Sequence, residues 1–121
     1  MTTPTSSEPQ DDARTFLSMV GDKWPLLILC NLKEGSRRFS ELRRAVNGIN
    51  QRLLTVTLRG LERDGLVTRV VFSSMPPHVR YELTPMGRAL TETAAPLIDW
   101  TVAQLANIAE ARATFDAAVS E

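Results

Sequence analysis

The spacing of apolar residues along the first third of the chain predicts two helices. The first begins after a cap at Asp11 or Asp12 and ends at Gly21, because glycine commonly follows a helix C-terminus. The second runs from Trp24 to Leu32, where apolar residues occupy nearly every position and Pro25 is tolerated in the first turn. A helix with almost no polar face is expected to be buried.

The next segment predicts a short helix that ends in a tight turn. A short extended piece is expected at Arg38 and Phe39. Ser40 then caps a helix that runs from Glu41 to Val46. Asn47-Gly48 follows as a strong turn signal, because both residue types accept positive φ.

A fourth helix is predicted from Gln51 to Asp64. Asn50 caps its start and Gly65 stops it. Leucines at i, i+4 and i+7 give it one narrow core stripe, formed by Leu54, Leu58 and Leu61. A short helix, a tight turn and a longer amphipathic helix form the pattern that lays a recognition helix in the major groove of DNA.

The second half of the chain predicts a β-hairpin and a long helix. The segment from Leu66 to Phe72 is β-branched and apolar, and His78 to Leu83 alternates, with a proline-stiffened tip between them. Thr84-Pro85 starts a last helix that runs toward Ala113, with a kink expected at Pro96. The fold class is therefore mainly α with a small β-hairpin, a winged helix-turn-helix with a long C-terminal dimerisation helix.

Length and composition constrain the number of domains and the location of the protein. The 121 residues fit one domain, residues 11–121, after a flexible polar tail of residues 1–10. The tail contains no apolar signal core, and no stretch approaches the ~20 apolar residues of a membrane helix. The single cysteine, Cys30, forms no internal disulfide, so we expect a reducing, cytoplasmic location.

The formal net charge is zero, but the charges are unevenly distributed. From Lys33 to Arg69 the chain has nine basic and four acidic residues, a local charge of +5. Screening confines an electrostatic field to roughly 8–10 Å, so a local basic segment matters more to a polyanion than the total. A solvated face with scattered arginines would have the same composition, so the charge permits DNA binding without proving it.

The fourth helix has a polar face whose side chains suit base edges. Glutamine pairs with adenine, arginine with guanine, and the methyl groups of threonine and valine contact thymine. Any amphipathic helix has a polar face, so the assignment also depends on the turn, the basic segment and the hairpin. The side chains predicted to contact bases are Asn50, Gln51, Arg52, Thr55, Val56 and Arg59.

Two further groups of residues are predicted to contact the DNA backbone. Near the second and third helices, phosphates are expected to meet Arg37, Arg38, Arg43 and Arg44. The hairpin tip is expected to reach phosphates or the minor groove through Pro76, Pro77, His78 and Arg80.

The last helix has more apolar surface than a monomer of this size covers, so a homodimer is expected. Residues 11–20 and 85–113 are the predicted dimerisation helices. The predicted interface side chains are Phe16, Leu17, Val20, Leu90, Leu97, Ile98, Leu105 and Ile108.

Two other classes of protein are alternatives to a DNA-binding regulator. An enzyme is disfavoured because the chain has one histidine, no Cys/His cluster for a metal and no glycine-rich phosphate loop. A winged helix can also serve as a protein-interaction module without specific DNA binding, and that alternative stays open.

The ordered series of motifs resembles the HxlR-type family of winged helix-turn-helix regulators over about residues 12 to 101. The runs that show the resemblance most clearly are Gly21-Asp22-Lys23-Trp24, Arg38-Phe39-Ser40-Glu41-Leu42 and Asp64-Gly65-Leu66-Val67. The resemblance implies a homodimeric bacterial transcription factor that binds a palindromic operator and responds to electrophiles, oxidants or small metabolites. We therefore expect a repressor or a ligand-responsive regulator.

One departure from the family concerns its sensing chemistry. Many members have a reactive cysteine followed by proline near the start of the first helix, where this chain has Asp11 and Asp12. Cys30 lies within an apolar helix, where a thiol is usually inert. We therefore expect no cofactor, and either a small-molecule effector of unknown identity or no ligand at all in place of thiol sensing.

Overall fold

The computed structural model describes residues 7–120, and it describes side chains from residue 11 onward. The first helix, α1, spans Ser7–Val20, and α2 spans Pro25–Asn31. Helix α1 therefore begins before the predicted caps at Asp11 and Asp12, and residues 7–10 of the predicted tail belong to this helix. Residues 1–6 of that tail lie outside the described residues.

The helix-turn-helix lies next in the chain. A two-residue strand, β1 (Arg37–Arg38), is followed by α3 (Phe39–Ala45) and α4 (Gln51–Arg63). The prediction of Ser40 as the cap of α3 is wrong. The carboxylate of Glu41 instead accepts a hydrogen bond of 2.8 Å from the Arg38 backbone N–H, so the helix begins at Phe39.

The cap of α4 follows the prediction. Oδ1 of Asn50 accepts a hydrogen bond of 2.7 Å from the backbone N–H of Leu53, which satisfies one of the free donors of the first turn. Gly48, with φ of 88°, makes the turn before α4, and Gly65, with φ of 77°, follows its end. Both positions require the left-handed conformation that glycine adopts without strain.

The hairpin forms two strands of a three-stranded antiparallel sheet in the order β1-β3-β2. Strand β2 spans Val67–Phe72, and β3 spans His78–Leu83. The two strands pair from Val67 opposite Leu83 to Phe72 opposite His78. The pairing of β1 with β3 adds the third strand. The short extended piece predicted at Arg38 and Phe39 lies one residue earlier, at Arg37 and Arg38, because Phe39 is the first residue of α3.

The chain divides into two compact units, one up to Thr91 and one from Glu92 onward. The first unit encloses a hydrophobic core, and the leucines of the predicted stripe on α4 are buried in it. The buried residues of this core are Ile28, Leu29, Leu32, Leu42, Val46, Ile49, Leu54, Leu58, Leu61, Leu66 and Val67.

The last helix, α5, spans Pro85–Val119 and begins at the predicted cap. The Thr84 hydroxyl accepts a hydrogen bond of 3.0 Å from the backbone N–H of Gly87. The helix continues without interruption through Pro96, and the predicted end near Ala113 is too early. None of the helices within residues 7–120 combines the length and the hydropathy that a bilayer crossing requires.

Candidate nucleic-acid interface

The solvent-facing side of α4 has a continuous ridge of four long or apolar side chains. At 100° per residue, positions 52, 56, 59 and 63 fall on one face, opposite the buried leucines. Arg52, Arg59 and Arg63 are exposed there, and the side chain of Val56 is 60% exposed. The ridge therefore presents three guanidinium groups and one branched methyl surface to solvent.

Most residues predicted to contact bases are accessible, but two of them also form hydrogen bonds within the helix. Asn50, Gln51, Arg52, Val56 and Arg59 are exposed, whereas Thr55 is half-buried. The Thr55 hydroxyl donates a hydrogen bond of 2.8 Å to the carbonyl of Gln51. Asn50 uses its side-chain oxygen as the helix cap, so its amide N–H groups are the part available to a ligand.

The sequence-based prediction missed Arg63, although it lies in line with Arg59 and Arg52. It also missed Arg69 of β2, which shares with Arg59 and Arg63 a groove between α4 and the sheet. Nε of Arg69 lies 3.7 Å from a carboxylate oxygen of Glu62. The spacing of Arg63 from Arg59 was a usable signal, whereas the position of Arg69 depends on the packing of β2 against α4.

Arg43 and Arg44 lie in the last turn of α3, and both side chains are exposed. They line a surface cleft together with Gln51 from the first turn of α4. Neither forms an ion pair with an acidic side chain among residues 11–120. Both guanidinium groups are therefore available to phosphates next to the start of α4.

Arg37 and Arg80 have internal partners. Nε of Arg37 donates a hydrogen bond of 2.8 Å to the carbonyl of Asn31. Arg80 donates to the hydroxyl and the carbonyl of Ser36, at 2.9 and 3.1 Å, and lies 3.7 Å from Glu41. These contacts tie the sheet to the segment before α3, so DNA would have to compete with them.

The placement of Arg80 in the hairpin tip is wrong, because Arg80 pairs with Val70 on one side and Arg38 on the other. Arg38 is exposed, as a phosphate contact requires. The backbone N–H of Arg38 donates a hydrogen bond to the Glu41 carboxylate, and this bond holds the pKa of Glu41 below its ordinary value. The nearby guanidinium groups of Arg80, Arg37 and Arg38 act in the same direction.

The hairpin tip is exposed and partly rigid. Pro76 and Pro77 are exposed, and His78 is half-buried at the first position of β3. The ring of His78 stacks on the ring of Phe72, with 5.1 Å between centroids and 7° between planes. Nδ1 of His78 lies 3.1 Å from the hydroxyl oxygen of Ser74.

In the first unit, the predicted interface residues differ in exposure. Leu17 is exposed, and Val20 is half-buried. Phe16 and Leu90 are half-buried and pack against the core of their own chain. Of these four, Leu17 has the largest apolar surface available to a partner.

In the second unit, α5 has many exposed apolar side chains. Leu97 and Leu105 are exposed, and Ile98 and Ile108 are half-buried. Four further apolar side chains of this unit are exposed, namely Trp100, Val102, Phe115 and Val119. Phe115 and Val119 were missed because the helix was predicted to end before them.

Cys30 of α2 is half-buried. Burial raises the pKa of its thiol above the ordinary value, and the charge of Lys33 offsets part of that rise. A thiol with a raised pKa forms less of the reactive thiolate. Among the described residues, no group of three or more His, Cys, Asp or Glu side chains is arranged to hold a metal ion.

The fold and the exposed ridge of α4 define a winged helix-turn-helix DNA-binding protein. The profile of the HxlR-like helix-turn-helix family matches residues 19–109, and the chain belongs to this family. It is 40% identical over 103 residues to the HTH-type transcriptional regulator YtfH of Escherichia coli K12, covering 85% of this chain and 82% of that protein.

Solved structures agree with this assignment. A structure described as the transcriptional regulator YtfH of Salmonella typhimurium is 39% identical, with a TM-score of 0.75, covering 83% of this chain and 89% of that one. The reduced form of the redox regulator HypR is 34% identical, with a TM-score of 0.74, covering 82% and 98%. The relatives are transcriptional regulators, so the expectation of a DNA-binding regulator rather than an enzyme is confirmed.

Proposed function

We propose that this protein acts in the cytoplasm as a homodimer that binds a palindromic operator and represses transcription, under the control of a small-molecule effector. The observation that carries the proposal is the unobstructed ridge of Arg52, Val56, Arg59 and Arg63 on α4. An arginine reads guanine through two parallel hydrogen bonds, and a valine methyl packs on the thymine methyl. The ridge therefore has the chemistry to distinguish base pairs.

The residues around α4 support a division of labour between base reading and phosphate binding. Arg43 and Arg44 lie beside the first turn of α4 without acidic partners among the described residues. Arg63 and Arg69 line the groove on the other side, toward the sheet. Phosphate contacts on both sides of a recognition helix set its register in the major groove.

A variant of Arg59 tests base reading. We expect Arg59→Ala to weaken binding to DNA that the wild-type protein selects from a random-sequence pool by about 1–3 kcal/mol, because one bidentate contact is lost. The thermal midpoint should stay unchanged, since the side chain is exposed. Fluorescence anisotropy against selected and random duplexes measures the effect.

Arg43→Ala is the matched control for that experiment. It should weaken binding to all sequences, because it removes a phosphate contact. The slope of the logarithm of the binding constant against the logarithm of the salt concentration should become shallower by about one unit. Equal losses on selected and random DNA for Arg59→Ala would contradict base reading. If the wild-type protein formed no salt-sensitive, sequence-dependent complex, the protein-interaction alternative would replace the proposal.

The exposed apolar face of α5 supports the homodimer. Leu97 and Leu105 are 63% and 57% exposed, although side chains of this kind are usually covered. A two-fold pair is the commonest way for one chain to cover such a face, and two-fold dimers of helix-turn-helix proteins bind two half-sites related by the same symmetry. An inverted repeat in the selected DNA is the expected counterpart of that symmetry.

A pair of aspartate substitutions tests the dimer. We expect Leu105→Asp to convert the protein to a monomer in sedimentation experiments, because it places a charge in the apolar face. Ala103→Asp should leave the dimer intact, because position 103 is exposed on the other side of the same helix. If Leu105→Asp sedimented like the wild-type protein, the interface would lie elsewhere.

Control by a small molecule is proposed in place of thiol oxidation. HypR is described as a redox regulator, but this chain has Asp11 and Asp12 at the start of the segment where the family's reactive cysteine is expected. Cys30 is half-buried with a raised thiol pKa, which makes it a poor thiolate nucleophile.

A further inference from the structure

The tip of the hairpin, residues 73–77, contains no cationic side chain. The nearest arginines along the two strands are Arg69 and Arg80. Arg69 lies 3.7 Å from the Glu62 carboxylate, and Arg80 donates two hydrogen bonds to Ser36. The tip itself therefore has no guanidinium or ammonium group with which to bind phosphates.

The tip instead presents apolar surface to solvent. The side chain of Met75 is 93% exposed, which makes it the most exposed large apolar residue among the described residues. Pro76 and Pro77 beside it are exposed, as are Val71 and Phe72 at the end of β2. Large apolar side chains left this exposed at the end of a hairpin are candidates for a binding contact.

The tip is braced from behind. Phe72 and His78 form the last residue pair of the hairpin, and their rings stack in parallel at 5.1 Å. The Ser74 hydroxyl donates a hydrogen bond of 3.2 Å to the carbonyl of Pro76, and it lies 3.1 Å from the His78 ring. A braced tip loses little conformational entropy when it binds.

The length of the hairpin matches the spacing of grooves on DNA. Arg69 lines the groove beside α4. At about 3.3 Å per residue, the chain from Arg69 to Met75 spans at most ~20 Å. Half a turn of B-DNA, the distance from a major groove to the next minor groove, is ~17 Å. With α4 in the major groove, Met75 is within reach of the flanking minor groove.

We propose that Met75 enters the minor groove beside the recognition helix as an apolar wedge and partly unstacks one base step, with the Phe72–His78 stack as its support. Methionine and proline are among the side chains that wedge between base steps from the minor groove. Flexible pyrimidine–purine steps cost the least energy to unstack, so the wedge favours them. It therefore gives sequence preference at a position that no polar side chain reads. This inference rests on the proposed function of the protein as a DNA-binding dimer.

Met75→Ala tests the wedge, with Met86→Ala as the matched control at an exposed methionine outside the tip. The probe is the duplex that the wild-type protein selects from a random-sequence pool, with 2-aminopurine scanned through the flanking steps. Wild-type protein and Met86→Ala should raise the 2-aminopurine fluorescence at one step, because that base loses its stacking. Met75→Ala should abolish this rise and weaken binding about tenfold, with the salt dependence unchanged.

The outcomes separate the wedge from the proposed function. If wild-type protein binds the selected duplex but no 2-aminopurine position responds, or if Met75→Ala binds as tightly as Met86→Ala, the wedge is wrong and the regulator stands. If the wild-type protein selects no sequence at all, the proposed function fails, and the wedge fails with it. Equal thermal midpoints of the three proteins exclude a folding defect as the cause of weaker binding.

Discussion

Replacing Leu58 with alanine is expected to lower the free energy of unfolding by about 2–5 kcal/mol, because the truncation opens a cavity in the core. The Leu58 side chain is 1% exposed, and it belongs to the cluster that joins α4 to the other helices of the first unit. The close packing of that cluster limits how far the neighbours relax into the space. Urea denaturation followed by circular dichroism measures the loss.

Val56→Ala is the matched control, two residues earlier on the same helix. Val56 is 60% exposed, so its truncation should change the free energy of unfolding by less than about 0.5 kcal/mol. It should instead weaken binding to selected DNA, since Val56 lies on the ridge. Similar losses of stability for Leu58→Ala and Val56→Ala would mean that α4 is not oriented as described.

Replacing Gly87 with alanine is expected to destabilise the protein by about 3 kcal/mol, because there is no room for a side chain. A Cβ at this position would overlap the carbonyl oxygen of Leu66 and lie 3.0 Å from its carbonyl carbon. Leu66 is buried, and its carbonyl accepts a hydrogen bond of 3.1 Å from the backbone N–H of Thr84. Neither backbone segment is free to move away.

Gly60→Ala is the control for the glycine substitution, and it should have the opposite sign. Gly60 lies within α4, and a Cβ there would meet no atom within 4 Å. Alanine favours the helix over glycine by about 0.5–1 kcal/mol, so thermal and chemical denaturation should show a gain of that size. A Gly87→Ala variant as stable as the wild-type protein would disprove the close approach at Leu66.

Local chemistry predicted the elements that hold the recognition helix. The cap at Asn50, the stop at Gly65 and the leucine stripe were readable because each depends on residues within a few positions along the chain. The same holds for the start of α5 at Thr84-Pro85, which the structure places as predicted.

The errors arose where local rules compete. Ser40 is a good capping residue, but the Glu41 carboxylate satisfies the N–H of Arg38, so the helix begins at Phe39. The last helix continues to Val119 because residues 114–119 contain no glycine or proline to stop it. Periodicity alone marks the part of a helix with a strong apolar stripe, and it is a weak guide to the exact terminus.

By itself, the sequence determined the order of the elements, the family and the inward face of α4, because short-range periodicity and capping encode them. Only the tertiary structure decided which arginines are free. Arg80 is bound to Ser36, 44 residues away along the chain, whereas Arg43, Arg44 and Arg59 form no ion pair among the described residues. The partner of a long charged side chain depends on which distant segments fold against it, and no local pattern records that.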